Sequence, residues 1–441
     1  MRAPAVRYSF VLALLLSLAG SLRAEIEVFR DFTLIDGTGH APVAHQAMIV
    51  NNGRIVWVGP VAQLKTPAGA QVVSFPGRYI IPGLIDDHVH LGAVIGLDQS
   101  AGNETEQNVE HDLRTYASYG VTTVQSLGTD KDFVLKMRDE QRASGRPHEA
   151  RIFSAGQGMV FKGGYGGLAG VTPSLADDAQ ARAAVDLQVS HHVDIVKLWM
   201  DTDLGRSARM PYPMAQTIID EAHKDGDRAV AHIFFLQDAK ALAGFGLDGF
   251  AHSVRDQAVD QALIDTMKKH GTWQMAATLS REASIFVYGK GAPFLKDPFF
   301  TRSVPAATVR TLESPAYVDG VRSDPRFEDY QRFLAQAEVN LKKLADAGIP
   351  YGCGTDSGPP GRFPGYFLHW EMELMVEAGL TPMQAIQACT ASNARFLHAA
   401  GLGTLEPGKW GDFVVLGRNP LDDIRNTHSI EAVYIAGNLF R

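Results

Sequence analysis

His88 and His90 stand two apart at the close of a short apolar run, in the order His88-Val89-His90. Side chains two apart on a strand project from the same face, so both imidazoles can address one point. Such a pair is common by chance, and the polar residues that end later apolar runs give it weight. Lys197 falls at the end of the run Asp194–Leu198, His232 ends Ala229–His232, His252 ends Gly249–His252, and Asp356 comes after Tyr351–Gly354. A charged or strongly polar group in an apolar run is costly without a partner. Residues of these types, drawn from the ends of successive strands, fit one metal-binding hydrolytic centre better than six unrelated accidents. Plainer readings exist for each: an ion pair of Lys197 with Asp201 or Asp203, packed core imidazoles for His232 and His252, and a turn cap for Asp356. The remaining histidines, His111, His191, His192, His223, His270, His398 and His428, read as surface or packing residues. His369, on the helical segment Tyr366–Glu377, reads as a support for the site.

The elements that must position these residues alternate strands with helices. Eight candidate strands succeed one another: Leu84–Asp87, Thr122–Ser126, Ile152–Ala155, Asp194–Leu198, Ala229–His232, Gly249–His252, Thr272–Ala276 and Tyr351–Gly354. Most are continuously apolar, as strands covered on both faces should be. Helical patterns lie between them, among them Ala179–His191, Ala215–Lys224, Gln237–Phe245 and Ala335–Ala347. Eight such repeats predict an α/β fold of the (β/α)8 TIM-like barrel type rather than an open doubly wound sheet. No Gly-x-Gly-x-x-Gly comes after the first strand, which argues against a dinucleotide fold. The two ends of the chain read differently. Val28–Ile35, Ala47–Val50, Ile55–Val58, Val72–Phe75 and Tyr79–Ile81 are short strands separated by Asp36-Gly37, Asn51-Asn52-Gly53 and Pro76-Gly77, and Phe413–Leu416 and Ala432–Ile435 repeat the pattern. The expected organisation is a barrel over 83–402 with a composite β-sandwich built from 25–82 and 403–441.

Two loops stand out. The stretch 156–170 holds seven glycines in fifteen residues, with Phe161, Lys162 and Tyr165 among them. It lacks the Gly-Lys-Ser/Thr ending of a phosphate loop, so mobility is the sounder expectation. The stretch 281–326 is long, aromatic and punctuated by proline, and reads as a lid over the site.

Composition narrows the classes. The 441 residues are 45% hydrophobic and 20% charged, with 41 basic against 49 acidic side chains and no run of five Lys/Arg, which argues against a nucleic-acid partner. Residues 1–24 have the layout of a secretory signal peptide: Arg2 and Arg7 precede an apolar run from Phe10 to Leu22, and Ala24 precedes the expected cut. Losing Arg2, Arg7 and Arg23 with it takes the net charge from −8 to −11. The expected product is exported, periplasmic or secreted, without a membrane anchor after cleavage; a homo-oligomer stays open. Two cysteines, Cys353 and Cys389, allow neither a disulfide framework nor a thiolate cluster, and are expected as buried thiols.

The stretch Ile81-Pro82-Gly83-Leu84-Ile85-Asp86-Asp87-His88-Val89-His90-Leu91-Gly92 resembles a motif of the amidohydrolase superfamily. Gly120-Val121-Thr122-Thr123-Val124, Gly354-Thr355-Asp356 and Glu406-Pro407-Gly408-Lys409-Trp410-Gly411-Asp412-Phe413 match it in the same order. The strand Val196-Lys197-Leu198-Trp199 and its spacing to His232 and His252 look like the imidazolonepropionase-related and Xaa-Pro-dipeptidase-like branch. The resemblance implies a metal-dependent hydrolase with two zinc ions, His88, His90 and Asp356 holding one and His232 and His252 the other. It also implies that Lys197, as a carbamate formed with CO2, bridges them. An ammonium only donates, whereas a carbamate offers two anionic oxygens.

That reading implies hydrolysis of an amide C–N bond by metal-activated hydroxide, with Asp356 moving the proton. The substrate expected is a small carboxylate-bearing molecule, a dipeptide or N-acyl amino acid, met by Arg255, Arg281 or Lys162. Where related dipeptidases often carry a Tyr after the fifth-strand His, this chain has Ile233-Phe234-Phe235. That departure keeps open a lactone or a bulky aromatic amide as substrate; a non-enzymatic binding barrel would usually have lost ligands.

Overall fold

The computed structural model describes residues 26–145 and 147–441, and the expected signal peptide lies outside the described residues. The architecture is mixed α/β. Strands β1 (Ile26–Leu34), β2 (Val43–Asn51), β3 (Arg54–Pro60) and β4 (Gln71–Pro82) come first, and β5 (Leu84–Val89), β6 (Val121–Ser126), β7 (Arg151–Ser154), β8 (Val196–Trp199), β9 (Ala229–His232) and β10 (Gly249–Phe250) lie among helices. The chain ends on β11 (Phe413–Leu416), β12 (Ile430–Ile435) and β13 (Asn438–Leu439). A seven-stranded sheet has the order β13-β12-β11-β4-β1-β2-β3, so the first and last strands of the described chain share one sheet. Its core stacks Phe29, Phe413 and Tyr434, with Phe413 and Tyr434 ring centroids 4.5 Å apart. Pro76-Gly77, expected as a turn between two strands, instead lies inside β4. The β1–β4 register jumps from Arg30↔Ser74 to Phe32↔Arg78, and Gly77 absorbs the irregularity at φ 72°.

The middle of the chain forms two parallel three-stranded ladders, β5-β6-β7 and β8-β9-β10. Further hydrogen bonds link them. Asp194 N–H donates to Ser154 O (2.9 Å) between the ladders, Phe250 N–H to Trp273 O (2.9 Å), Gln274 N–H to Pro350 O (3.0 Å), and Asp87 N–H to Cys353 O (3.0 Å), back at β5. The expected strands Thr272–Ala276 and Tyr351–Gly354 therefore pair only through single bridges, Gly249↔Trp273 and Gln274↔Tyr351. Side chains take over their backbone groups. Asn393, fully buried, accepts from Cys353 N–H (3.0 Å) and donates to Cys353 O (2.6 Å) and Ile85 O (2.8 Å). A buried backbone group needs a partner, and here an amide side chain supplies what a ladder would elsewhere.

Two expectations are corrected. Cys353 and Cys389 are joined as a disulfide rather than being free thiols, because the segment 388–392 packs Cys389 against the strand end with the two Cα atoms 4.8 Å apart. The stretch 281–326 is a chain of short helices rather than an open loop. Prolines sit in the first turns at Pro293, Pro298 and Pro315, where their missing N–H costs nothing, and Asp297 and Ser314 cap two of these helices. Phe294 and Phe300 are buried in this stretch and pack on Tyr366 at 5.5 and 5.0 Å. Among the described residues no helix is long and apolar enough to cross a membrane.

Replacing Asn393 with Ala should strand the Cys353 N–H and remove a donor from the Cys353 and Ile85 carbonyls, and cost about 1–3 kcal/mol in urea unfolding. An unchanged unfolding midpoint would show that these groups find other partners.

Candidate metal centre and active site

His88, His90, Lys197, His232, His252 and Asp356 come together, all buried. One ligand atom from each of His88, His252 and Asp356 falls within 4.8 Å of the others. Asp356 Oδ1 lies 2.9 Å from His90 Nε2 and 3.6 Å from His88 Nε2, and Lys197 Nζ lies 3.5 Å from His88 Nε2. The rings of His88 and His252 are 4.8 Å apart, and those of His232 and His252 4.1 Å.

The backbone makes this closeness possible. His90 N–H donates to Ser357 O and Asp356 N–H to His88 O, both at 2.7 Å, so the last strand segment is clamped to β5. A Cβ at Gly354 would lie 2.9 Å from His88 N, and one at Gly358 would lie 2.1 Å from His90 O, so neither site tolerates a side chain. Asp356 itself has φ 54°, the left-handed region a non-glycine residue adopts only when its surroundings enforce it. Asp86 provides part of that enforcement. Its carboxylate accepts from Thr355 N–H (3.0 Å) and Thr355 Oγ1–H (2.7 Å), holding the Gly-Thr-Asp turn against β5.

Each imidazole is held through one nitrogen, and for His88 and His90 the other faces Asp356. His88 Nδ1–H donates to Ala251 O (2.9 Å); a carbonyl only accepts, so the neutral ring keeps its lone pair on Nε2. His90 Nδ1 pairs with Thr129 Oγ1 (2.8 Å) and His252 Nδ1 with Thr278 Oγ1 (2.7 Å). His232 reverses the pattern, its Nε2–H donating to Asp201 Oδ2 at 2.8 Å. Anchoring of one ring nitrogen by an outer partner is how metal-binding histidines are oriented. Burial, with the nearby Lys197, holds His88 well below the usual imidazole range, and burial with His232 does the same for His252. Burial takes His232 down to about 4, despite Asp201. All three rings are therefore neutral at pH 7, the form that binds metal.

Lys197 is also fully buried, and burial lowers its ammonium to about 7. Asp201, one of the ion-pair partners its position in sequence suggests, is committed to His232 instead. Burial raises Asp356, but Arg362, His88 and His90 outweigh it and carry the carboxyl well below its usual range. Its Oδ2 contacts Arg362 Nη1 and lies 3.4 Å from Arg281 Nε.

The expected substrate cations fare differently. Arg255 is 1% exposed and closed off: Nη1 donates to Ile233 O (2.7 Å) and Ser253 O (2.8 Å), Nε lies 3.0 Å from Glu282, and the guanidinium stacks on Phe234. Arg281 reaches the site but is shared among Glu282 (2.5 Å), Asp356 and the Tyr165 hydroxyl (3.1 Å). Lys162 is exposed and lines neither cavity at the site. His369 is occupied by Tyr119 O and Thr427 Oγ1, each within 2.9 Å, with no contact to the cluster. Tyr165, placed by the glycine-rich loop, was not among the expected site residues. Its ring lies 5.1 Å from His232, and it lines both a 200 Å³ cavity over the cluster and an adjoining 270 Å³ cavity whose wall combines Phe234, Tyr330 and Phe333 with Arg255 and Arg281.

Residues 79–440 match the model of the Amidohydrolase family. The chain belongs to that family. Amidohydrolases of this kind use metal ions, and this member is a hydrolase of carbon–nitrogen bonds. It is 23% identical to ochratoxinase of Aspergillus niger, over 97% of this chain and 89% of that one. It is 24% identical to imidazolonepropionase of Deinococcus radiodurans, over 89% of this chain and 91% of that one. A solved Xaa-Pro dipeptidase with methionine bound in its active site shares the fold, with a TM-score of 0.73 and 19% identity over 95% of this chain and all of that one.

In metal-free protein, His232 should titrate near pH 4, with the neutral ring persisting through pH 5–6. Side-chain NMR of labelled histidine would check it; a His232 midpoint near 6.5 would mean that the ring is solvated.

Proposed function

We propose that this chain is an exported, metal-dependent amidohydrolase that cleaves an amide C–N bond in a small carboxylate-bearing substrate, a dipeptide or N-acyl amino acid. The observation that carries the reading is the buried cluster, in which His88, His90, His232, His252 and Asp356 line one cavity and the Lys197 amine lies 3.5 Å from His88 Nε2 beneath them. We infer that the eight strand segments form a (β/α)8 barrel over 83–402, with the seven-stranded sheet as a composite β-domain from 25–82 and 403–441. The circuit of hydrogen bonds and the mixing of first and last strands support this. The Cys353–Cys389 disulfide supports export, since such bonds persist in oxidising compartments.

The donor set suits two zinc ions. His88, His90 and Asp356 would hold one, His232 and His252 the other, and carboxylated Lys197 would bridge them. Burial favours the uncharged amine of Lys197, the form that reacts with CO2, which supports the bridge. Bound zinc supplies Lewis acidity toward a carbonyl oxygen and makes a nearby water more acidic. The chain's own residues do the rest. Asp356 takes a proton from the attacking water and returns it to the departing nitrogen, so the C–N bond breaks to an acid and an amine. Arg281 and Arg362 fix the direction of its second oxygen. The Tyr165 hydroxyl, paired with Arg281, supplies the donor missing after His232. The aromatic wall of Phe234, Tyr330 and Phe333 favours a second reading, a bulky aromatic amide as substrate.

His88→Ala and His90→Ala should lose most bound metal and activity while keeping the fold; elemental analysis with circular dichroism checks this. Lys197→Ala should be inactive and partly rescued by short carboxylic acids, and full activity without them would refute the bridge. Zinc-loaded enzyme should hydrolyse some of a set of dipeptides, N-acyl amino acids and aryl amides. Preference for aryl lactones over every amide would move the function to ester chemistry.

A further inference from the structure

Three arginines approach the centre, and only their contacts tell them apart. Arg255 and Arg281 share Glu282, and their guanidinium groups are further bound by carbonyls or by Tyr165. Arg362 touches Asp356 Oδ2 through Nη1, and its Nε and Nη2 have no hydrogen-bond partner among the described residues. Its side chain is 17% exposed. The loop that carries it is set by its own backbone, with Gly358 N–H donating to Arg362 O (3.1 Å) and Arg362 N–H to Pro359 O (3.0 Å). Arg362 and Pro359 line both the 200 Å³ cavity over the cluster and a larger cavity of 330 Å³ on its other side. That second cavity has a mixed wall, with Val94, Val304 and Phe363 on one part and Asn108, Asp112 and Thr115 of the helix Glu106–Ser118 on another. Its volume leaves ample room for a branched side chain beside the apolar part of the wall.

We propose that Arg362 is the anchor for the substrate's carboxylate, and that the 330 Å³ cavity takes the apolar side chain next to that carboxylate. The inference rests on the amidohydrolase reading and assigns which half of the substrate lies where. The Nε and Nη2 edge of a guanidinium presents two parallel N–H groups, the fork that matches a carboxylate. With Nη1 held by Asp356, that edge is the one left free. The contacting chain Arg255–Glu282–Arg281–Asp356–Arg362 sets three guanidinium groups against two carboxylates, so an incoming carboxylate completes the pairing. The other half of the substrate then falls on the Tyr165 side, in the 270 Å³ cavity where aromatic rings and charged side chains alternate.

The test uses calorimetry on metal-loaded protein with L-leucine and L-leucinol, which share an amine and a side chain and differ in the carboxylate. Wild type should bind leucine more tightly, and Arg362→Gln, compared at matched metal content measured on the same samples, should cut that preference roughly ten- to a hundredfold. Arg362→Lys, which keeps the charge without the fork, should fall between. Thr115→Trp should weaken leucine relative to alanine by narrowing the cavity. An intact leucine-over-leucinol preference in Arg362→Gln overturns the anchor, whether or not any amide is hydrolysed. A preference lost in that variant, with no amide turned over by wild type, overturns the hydrolytic reading and leaves the anchor standing.

Discussion

A single buried carboxylate faces two ways. Asp356 presents one oxygen to the His88 and His90 imidazoles and the other to Arg281 and Arg362. A charge this deeply buried survives only if its partners repay the loss of water. The partners come from β5, from the helix after the seventh segment and from the loop after Asp356 itself. The left-handed backbone at Asp356, the glycines on either side and the Asp86–Thr355 contacts all serve to keep those oxygens where they are. The imidazole side and the guanidinium side are thus coupled through one group. A change in either is felt by the other without any movement of the fold.

The cluster was legible because burial and polarity conflict there. His88, His232 and His252 end apolar runs, and such interruptions are visible in one dimension. β9 coincides with the expected strand, and β5, β6, β7 and β8 differ from expectation by one or two residues at an end. What could not be read is which polar groups meet in space. Asp201 was a natural partner for Lys197 by distance along the chain, yet it bonds His232 across 31 residues. Arg362 sits in a run of glycine and proline that reads as a turn; a lone guanidinium in a rigid loop directly after a ligand was the signal available. Arg255 came after a strand as a binding residue would, but its stem turns back into the protein and its charge is spent on backbone carbonyls and Glu282.

The two loops are built on different principles. Glycine in 156–170 suggests freedom, and two of these glycines also have a packing role: Gly158 and Gly166, the latter at φ 108°, let the chain pass closely over Trp199 beside Tyr165. Proline and aromatics in 281–326 suggested an irregular lid, whereas the prolines start helices and the aromatics make a packed layer. Cys353 and Cys389 are 36 residues apart, and the packing of the segment 388–392 against the strand end, which joins them, leaves no mark in the sequence.

The weave of the seven-stranded sheet has a consequence for how the molecule comes into being. β4 is flanked by β1 on one side and by β11 on the other, more than 330 residues later in the chain. Gly83 N–H donates to Asp412 O at 2.8 Å just where β4 leads into β5, the strand that carries His88 and leads directly into His90. Contacts this distant in sequence form slowly, since the chain entropy of closing so long a loop must be met before they stabilise anything. Until β11 is in place, the edge of β4 is an open template for strands of other molecules. Crowding at high expression should therefore bring out association through that edge, and maturation of the centre is timed by the arrival of its last strands rather than by the assembly of its ligands.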